Sequence, residues 1–289
     1  MREGIIIKGV GGFYDVLVDG NIISCRARGR FRKDGIIPMV GDKVKINSEK
    51  QYIEEILPRK NQLIRPTVAN IDFLGIVLAV EEPEPDFYLI DKMIISAEMN
   101  NIEPIIIINK IDLGSPEKIK SIREIYEKTK YPIVSISCKE KKGLDKLNEV
   151  IKGGIVAFAG QSGVGKSSII NLLCPEKEIE IGKLSDKIKR GKHTTRHAEL
   201  LCLDNGGMVV DTPGFSMMII NTLEAEDLQL YYSEFKPYIQ QCRFNGCVHY
   251  HEPGCRVKEA VETGDIPKER YDRYIKIYTE LKENRRDVW

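Results

Sequence analysis

At 289 residues, with 42% hydrophobic and 30% charged content, the chain has room for two or three compact domains and the balance of a globular protein. Its formal net charge of +1 argues against a polyanion partner held by bulk charge, and its longest apolar run, FLGIVLAV, falls far short of the roughly 18 residues a membrane span needs. The N-terminal MREGIIIKGVGG offers no small-residue cleavage site, so a cytoplasmic location and no membrane partner are expected.

Residues 1–66 read as a small β-barrel. FYDVLV, NIISCRARGRF, DKVKIN and QYIEEILP are short runs punctuated by Gly, Asp-Gly and Pro. This segment holds thirteen Lys/Arg against eight Asp/Glu, a local net charge of +5. Arg26, Arg28, Arg30 and Arg32 alternate, so one extended strand would set all four guanidiniums on one face. Such a row is either a solvated face or a grip on a nucleic-acid backbone.

From residue 67 to about 220 the pattern changes. DFLGIVLAV and IEPIIIINK are continuous apolar runs, as expected of strands buried on both faces of a parallel sheet. Between and after them come the helical spacings of FYLIDKMIISAEMNN, SPEKIKSIREIYEKTK and GLDKLNEVI, and the strands YPIVSIS and GIVAFAG. The alternation predicts a doubly wound α/β domain.

The end of IEPIIIINK carries Asn109-Lys110-Ile111-Asp112. A carboxylate at the last of these positions can accept two hydrogen bonds from the N1–H and N2–H₂ edge of guanine, a pair of donors adenine lacks. Ser137, Cys138 and Lys139, after YPIVSI, form a candidate second loop against the base. Next comes Gly160-Gln161-Ser162-Gly163-Val164-Gly165-Lys166-Ser167, between an apolar strand and the helical SSIINLL. The glycines permit a tight loop whose N–H groups face phosphates, Lys166 adds charge near the β- and γ-phosphates, and Ser167 offers a hydroxyl to Mg²⁺.

Asp211-Thr212-Pro213-Gly214 follows the strand GMVV. Asp211 there can hold Mg²⁺ through a water, and the Gly214 N–H can sense the γ-phosphate. The intervening GKLSDKIKRGKHTTRHAELL is polar and basic, which suits a mobile loop, with Thr194 or Thr195 completing the Mg²⁺ shell. These elements together specify GTP and GDP as ligands. Where many GTPases place a water-orienting Gln after the last glycine, this chain has Phe215, which cannot hydrogen-bond water. Slow intrinsic hydrolysis is expected, with His193 as the candidate to orient the water; its other reading is a loop histidine with a local partner. Lys166 and Thr195 complete the expected catalytic set.

After about residue 220 the pattern is helical or irregular. Cys242-x₄-Cys247-x-His249-x₅-Cys255 offers three thiolates and an imidazole, a closed tetrahedral set for one structural Zn²⁺, with His251 a competing ligand. The final segment places Tyr271, Tyr274, Ile275, Tyr278 and Leu281 on one helical face, a packing stripe.

The elements NKID, GQSGVGKSS, GKHTT, DTPGF and CRFNGCVHYHEPGC, in that order, resemble the ribosome small subunit-dependent GTPase A family (the RsgA or YjeQ type). The resemblance covers essentially the whole chain. It implies an N-terminal OB barrel (1–66), a circularly permuted P-loop GTPase domain (67–220) and a C-terminal α-helical zinc-binding domain (221–289). Permutation accounts for the base reader preceding the phosphate loop. The resemblance also implies Ser168 among the nucleotide contacts, His249 rather than His251 on zinc, and the 30S ribosomal subunit with its 16S rRNA as partners of a monomeric GTPase in late assembly. Two rival readings stay open: an RNA-binding adaptor using GTP for stability, and a regulatory GTPase with a protein effector.

Overall fold

Five short strands, each with one face buried, close on themselves at the N-terminus: β1 (Arg2–Val10), β2 (Phe13–Val18), β3 (Asn21–Ala27), β4 (Lys43–Asn47) and β5 (Tyr52–Ile56). The computed structural model describes residues 1–29, 31, 35–64, 66–175, 198–211, 220 and 222–286, the side chains of 285 and 286 excepted. β1 serves both edges: Arg2 to Ile5 pair with β4, and Ile5 to Val10 pair with β2, with a register shift between Ile6 and Lys8. That irregularity bends the strand enough to close the order β1-β2-β3-β5-β4-β1. Ile6, Val16, Val18, Cys25, Val44, Ile46 and Ile53 fill the interior. The result is a five-stranded OB-type barrel.

Two expectations for this segment change. β1 adds a strand that is not among the four runs expected. β3 ends at Ala27, so Arg28 lies beyond the strand and the arginines do not form one extended row; Arg30 and Arg32 lie outside the described residues. The Phe31 N–H donates to the Arg28 carbonyl at 3.1 Å, a turn that ends the pleat. Arg28 pairs instead with Glu54 at 2.5 Å.

A hairpin of β6 (Gln62–Ile64) and β7 (Thr67–Ala69) leads to a parallel sheet of β8 (Phe73–Ala79), β9 (Glu103–Asn109), β10 (Ile133–Ser135), β11 (Ile155–Ala159) and β13 (Met208–Asp211). The antiparallel β12 (Glu199–Cys202) borders β13. Glu199 to Leu201 belong to the stretch expected as loop; ELLC has no strand alternation, and its ladder partner β13 is supplied by the fold rather than by local composition. Lys8 of β1 pairs with Glu199 in register and by a 3.3 Å ion pair, joining barrel to sheet.

The helices are α1 (Phe87–Met99), α2 (Pro116–Tyr126), α3 (Leu144–Val150) and α4 (Lys166–Leu173). The run of isoleucines in β9 is explained by its two covered faces. Ile106 and Ile108 pack with α1 and α2 on one side, and Ile105 and Ile107 with α4 on the other. The sheet order β10-β9-β8-β11-β13 reverses direction between β8 and β11, the position where open α/β sheets form a ligand crevice at their carboxyl edge.

Beyond the sheet come a 3₁₀ helix (Ala225–Tyr231), α5 (Lys236–Ile239), α6 (Arg256–Glu262) and α7 (Lys268–Arg286). Tyr274, Ile277, Tyr278 and Leu281 of α7 are buried with Tyr232 and Phe235, and Ile95 of α1 joins this third core. The packing stripe expected on the last helix is present; Tyr271 and Ile275 lie at its margin, and Ile277 belongs to it. Among the described residues no helix is long and apolar enough to cross a membrane.

Candidate nucleotide site and metal centre

β11 delivers the chain into residues 160–165, which turn sharply into α4. Gly160 has φ +143° and a Cβ there would sit 2.1 Å from the Val77 carbonyl oxygen of β8. Gly165 has φ +100°, and its Cβ would sit 2.3 Å from Asn109 Nδ2. Both positions therefore require glycine on conformational and steric grounds. Val164 between them is fully buried and pins the loop to the sheet, while Ser162 and Gly163 stay exposed. Gly165 caps α4 with no side-chain hydrogen bond, so the first-turn N–H groups near Ser167 and Ser168 have no capping side chain before the crevice.

Lys166 Nζ donates to the carbonyls of Gly160 (2.8 Å) and Gln161 (2.7 Å). Burial holds its ammonium below the ordinary lysine value. The Gln161 side-chain oxygen accepts from the Asp86 N–H at 3.0 Å, which ties the phosphate loop to the N-cap of α1.

The base reader stands opposite. Asn109, buried at the end of β9, donates through Nδ2 to the Val164 carbonyl at 2.8 Å and accepts through Oδ1 from the Cys138 N–H at 3.4 Å. One amide thus fastens three loops. Lys110 takes a left-handed backbone (φ 59°) and donates to the Glu82 carbonyl. Strain of this kind in a non-glycine residue is tolerated where neighbours over-determine it. The fully buried Ser137 donates its hydroxyl to Asp112 Oδ1 at 2.5 Å and accepts the Glu140 N–H at 3.0 Å. That hydroxyl bond holds the Asp112 carboxyl below the usual carboxylate value, with Lys139 and Lys110 adding to the effect against desolvation. Burial pushes the Cys138 thiol up.

Between the two halves lies a cavity of about 490 Å³. Asn109, Lys110, Asp112, Cys138 and Lys139 line one wall; Gly165 and Ser168 line the other, together with Asn171 and Leu172. Leu113, Asn171 and Leu172 belong to the lining although the motifs do not include them; only their helical or loop spacing from a motif residue marks them. Asp211 ends β13, beside β11, at the same sheet edge. His193, Thr194, Thr195, Gly214 and Phe215 lie outside the described residues.

The second constellation is brought together completely. The ligand atoms of Cys242, Cys247, His249 and Cys255 all lie within 4.8 Å of one another. His249 Nδ1 is 3.6, 3.4 and 3.3 Å from the three sulfurs, respectively. His249 is fully buried, whereas His251 is exposed and stacks on Tyr250 at 3.6 Å. The competition between the two histidines is therefore decided by the backbone. His249 Nε2 meets Gln229 Oε1 at 2.8 Å, which places a proton on Nε2 and turns the Nδ1 lone pair to the thiols. Burial lowers the His249 pKa to about 4, keeping the ring neutral. Burial and the neighbouring thiols push Cys247 up to about 12. Three crowded thiols need a cation to be held as thiolates, and this donor set fits tetrahedral zinc. Gln229 carries no motif signal; only the fold puts it there.

A family model described as RsgA GTPase matches residues 56–221, and a second, described as RsgA N-terminal domain, matches residues 3–53. Among curated proteins, the "Small ribosomal subunit biogenesis GTPase RsgA" of Ruminiclostridium cellulolyticum is 48% identical over 98% of this chain and 95% of its own length. The protein of that name from Caldanaerobacter subterraneus is also 48% identical, over 97% of this chain and 96% of its own. Among solved structures, YjeQ from Thermotoga maritima superposes with a TM-score of 0.85 at 40% identity, covering 97% of this chain and 98% of that one. YloQ, described as a circularly permuted GTPase, gives 0.84 at 37% identity, covering 98% and 96%. The reversed order of base reader and phosphate loop, on a sheet that still brings both to one crevice, is the permuted arrangement of these relatives. The chain belongs to the RsgA GTPase family.

Proposed function

We propose that this chain hydrolyses GTP to GDP and phosphate during biogenesis of the small ribosomal subunit, and that the subunit accelerates the turnover. The observation that carries the reading is the hydrogen bond from Asn109 to the Val164 carbonyl, which locks a guanine reader onto a phosphate loop. Asp112, ionised and oriented by Ser137, reads the guanine edge, with Lys110, Cys138 and Ser168 around the base. Residues 160–168 receive the phosphates, and Lys166 exchanges its two loop carbonyls for phosphate oxygens. Ser167 and Asp211 supply the hard oxygen donors that suit Mg²⁺, with Thr194 or Thr195. When bound, Mg²⁺ neutralises charge on the phosphate oxygens. Gly214 senses the γ-phosphate, and His193 orients the attacking water in place of the missing glutamine; Thr195 and Lys166 complete the catalytic set.

In this reading residues 1–66 contact 16S rRNA, residues 67–220 form the GTPase unit, and residues 221–289 are folded by one zinc ion held by Cys242, Cys247, His249 and Cys255. The protein acts as a cytoplasmic monomer. With four protein donors the site would leave zinc no open position, so its role would be structural.

The test is GTP turnover with and without purified 30S subunits, paired with subunit binding under GDP and a non-hydrolysable GTP analogue. Stimulated turnover and nucleotide-dependent binding are expected. Equal binding in both states without turnover would assign an adaptor role, and no response to subunits a protein effector. The same assay on His193→Ala isolates the water-orienting step: unchanged stimulated turnover removes His193 from it.

A further inference from the structure

The barrel carries a feature that nucleotide chemistry does not use. Phe13 of β2 stands opposite Arg26 of β3, and Arg26 stands opposite Tyr52 of β5. The three side chains form one cross-strand row on the outer face. Phe13 is 48% exposed and Tyr52 37%, and Arg26 is exposed between them. The Arg26 guanidinium lies over the Phe13 ring, 4.7 Å from its centroid. Among the described residues it has no carboxylate or other side-chain acceptor, whereas the neighbouring Arg28 is spent on Glu54.

Adjacent strands lie about 4.8 Å apart, so the two rings stand roughly 10 Å apart with the cation between them. Cross-strand stability alone explains a buried pair of this kind, not two rings turned to water. Val10 of β1, 48% exposed, stands on the far side of Phe13, but Arg26 divides the rings and the pairs Asp15 with Ser24 and Asn47 opposite Tyr52 bound the row, so the apolar surface stays smaller than a protein partner covers. What fits is a ligand with a flat π-face and a nearby anion.

We propose that Phe13, Arg26 and Tyr52 form a stacking site for an unpaired nucleotide of single-stranded RNA. A splayed base lies on an exposed ring, and the free guanidinium N–H groups take its phosphate. A duplex, whose bases are already stacked, presents no such face. The site rests on the proposed role in ribosomal subunit biogenesis and names the kind of RNA element contacted.

The experiment uses the full chain and a single-stranded RNA octamer with one 2-aminopurine, beside the same sequence as a blunt duplex. Wild-type protein quenches the single-stranded probe and binds it more tightly than the duplex. Phe13→Leu and Tyr52→Leu each weaken single-strand binding between about fivefold and a hundredfold. Tyr52→Phe, which keeps the ring, binds as wild type, and Arg26→Lys, which keeps the charge, retains both the quenching and the salt dependence. Unaltered far-ultraviolet circular dichroism and thermal melting in each variant certify the barrel fold.

Quenching and affinity unchanged in both Leu variants overturn the site, as does equal binding of the duplex. Loss of 30S binding in the Leu variants with RNA binding intact overturns it too, assigning the row to a ribosomal protein. Failure of wild-type protein to respond to 30S subunits refutes the proposed function instead, so the two readings fail separately.

Discussion

Asp91 of α1 and Arg270 of α7 meet at 2.6 Å with no more than 1% of either side chain exposed. They belong to a closed group. Arg270 also pairs with Glu234 (2.7 Å), Arg273 pairs with Asp91 (2.5 Å), and the Tyr126 hydroxyl donates to Asp91 at 2.9 Å. Two carboxylates balance two guanidiniums, and Arg270 lies over the Tyr232 ring at 4.4 Å. The group joins the helical C-terminal unit to the helix whose N-cap touches the phosphate loop.

Removing Arg270 strands the buried Glu234 carboxylate, while Asp91 keeps Arg273 and the Tyr126 hydroxyl. Arg270→Ala is expected to lower unfolding free energy by about 3–5 kcal/mol. Arg270→Met combined with Glu234→Gln recovers part of that loss, because Asp91 keeps Arg273 and no charge is then stranded. Urea denaturation of the three proteins checks both statements; equal loss in the two variants would show that packing, not charge, dominates.

A second contact on the same seam responds to pH. Glu280 of α7 accepts from Lys92 at 2.7 Å and from the Tyr88 hydroxyl, both on α1. Burial pushes its pKa up, but these donors outweigh burial and hold it below the ordinary 4.5. A carboxyl whose folded pKa is depressed contributes stability that is present above 4.5 and lost as pH falls through the folded value. Glu280→Gln should therefore be less stable than wild type at neutral pH, with the gap closing on acidification below that point. Thermal melts from pH 7 down to about 3 measure it.

The candidate nucleotide site was legible in the sequence because its parts are local. A phosphate loop is one turn and a base reader is one strand end, and each needs particular residue types at fixed spacing. Ser137 and Cys138 were legible only by their place after a strand. Gln229 was not, since it reaches His249 across twenty residues through tertiary folding alone. Arg270 reads as one more charge in a charged helix until Asp91, far earlier in the chain, is placed against it. The arginine alternation misled for a related reason: a strand can end mid-pattern, and the Arg26 that remains on the strand is paired with rings rather than with arginines.

Specificity for guanine is testable through Asp112. Its carboxylate is fixed by Ser137 and can only accept, matching the two donors of guanine. Asp112→Asn replaces one acceptor with a donor, and each charged hydrogen bond lost costs about 1.5–3 kcal/mol. GDP affinity is expected to fall by roughly a hundredfold or more, while xanthosine diphosphate, which carries an oxygen where guanine has its amine, gains. Ser137→Ala gives a smaller loss without the change in preference. Fluorescent-nucleotide competition separates the two; an Asp112→Asn protein that still prefers GDP would remove Asp112 from base reading.

The metal centre offers the cleanest separation between ligand and support. His249→Ala deletes a donor, and His251→Ala deletes an exposed ring stacked on Tyr250 that touches no thiol. Zinc content measured by atomic absorption should fall in the first and stay at one equivalent in the second. Gln229→Leu keeps all four donors but frees the Nε2 proton and lets the ring turn, so metal affinity drops by about 10- to 100-fold with stoichiometry intact. Chelation of wild-type protein should unfold residues 242–255 and loosen the Tyr271 and Tyr274 hydroxyls from the His249 and Val248 carbonyls they now hold at 2.7 and 2.8 Å. Near-ultraviolet circular dichroism follows those tyrosines directly. GDP binding should survive chelation, because among the described residues the cavity beside Asp112 takes no lining residue from the zinc segment.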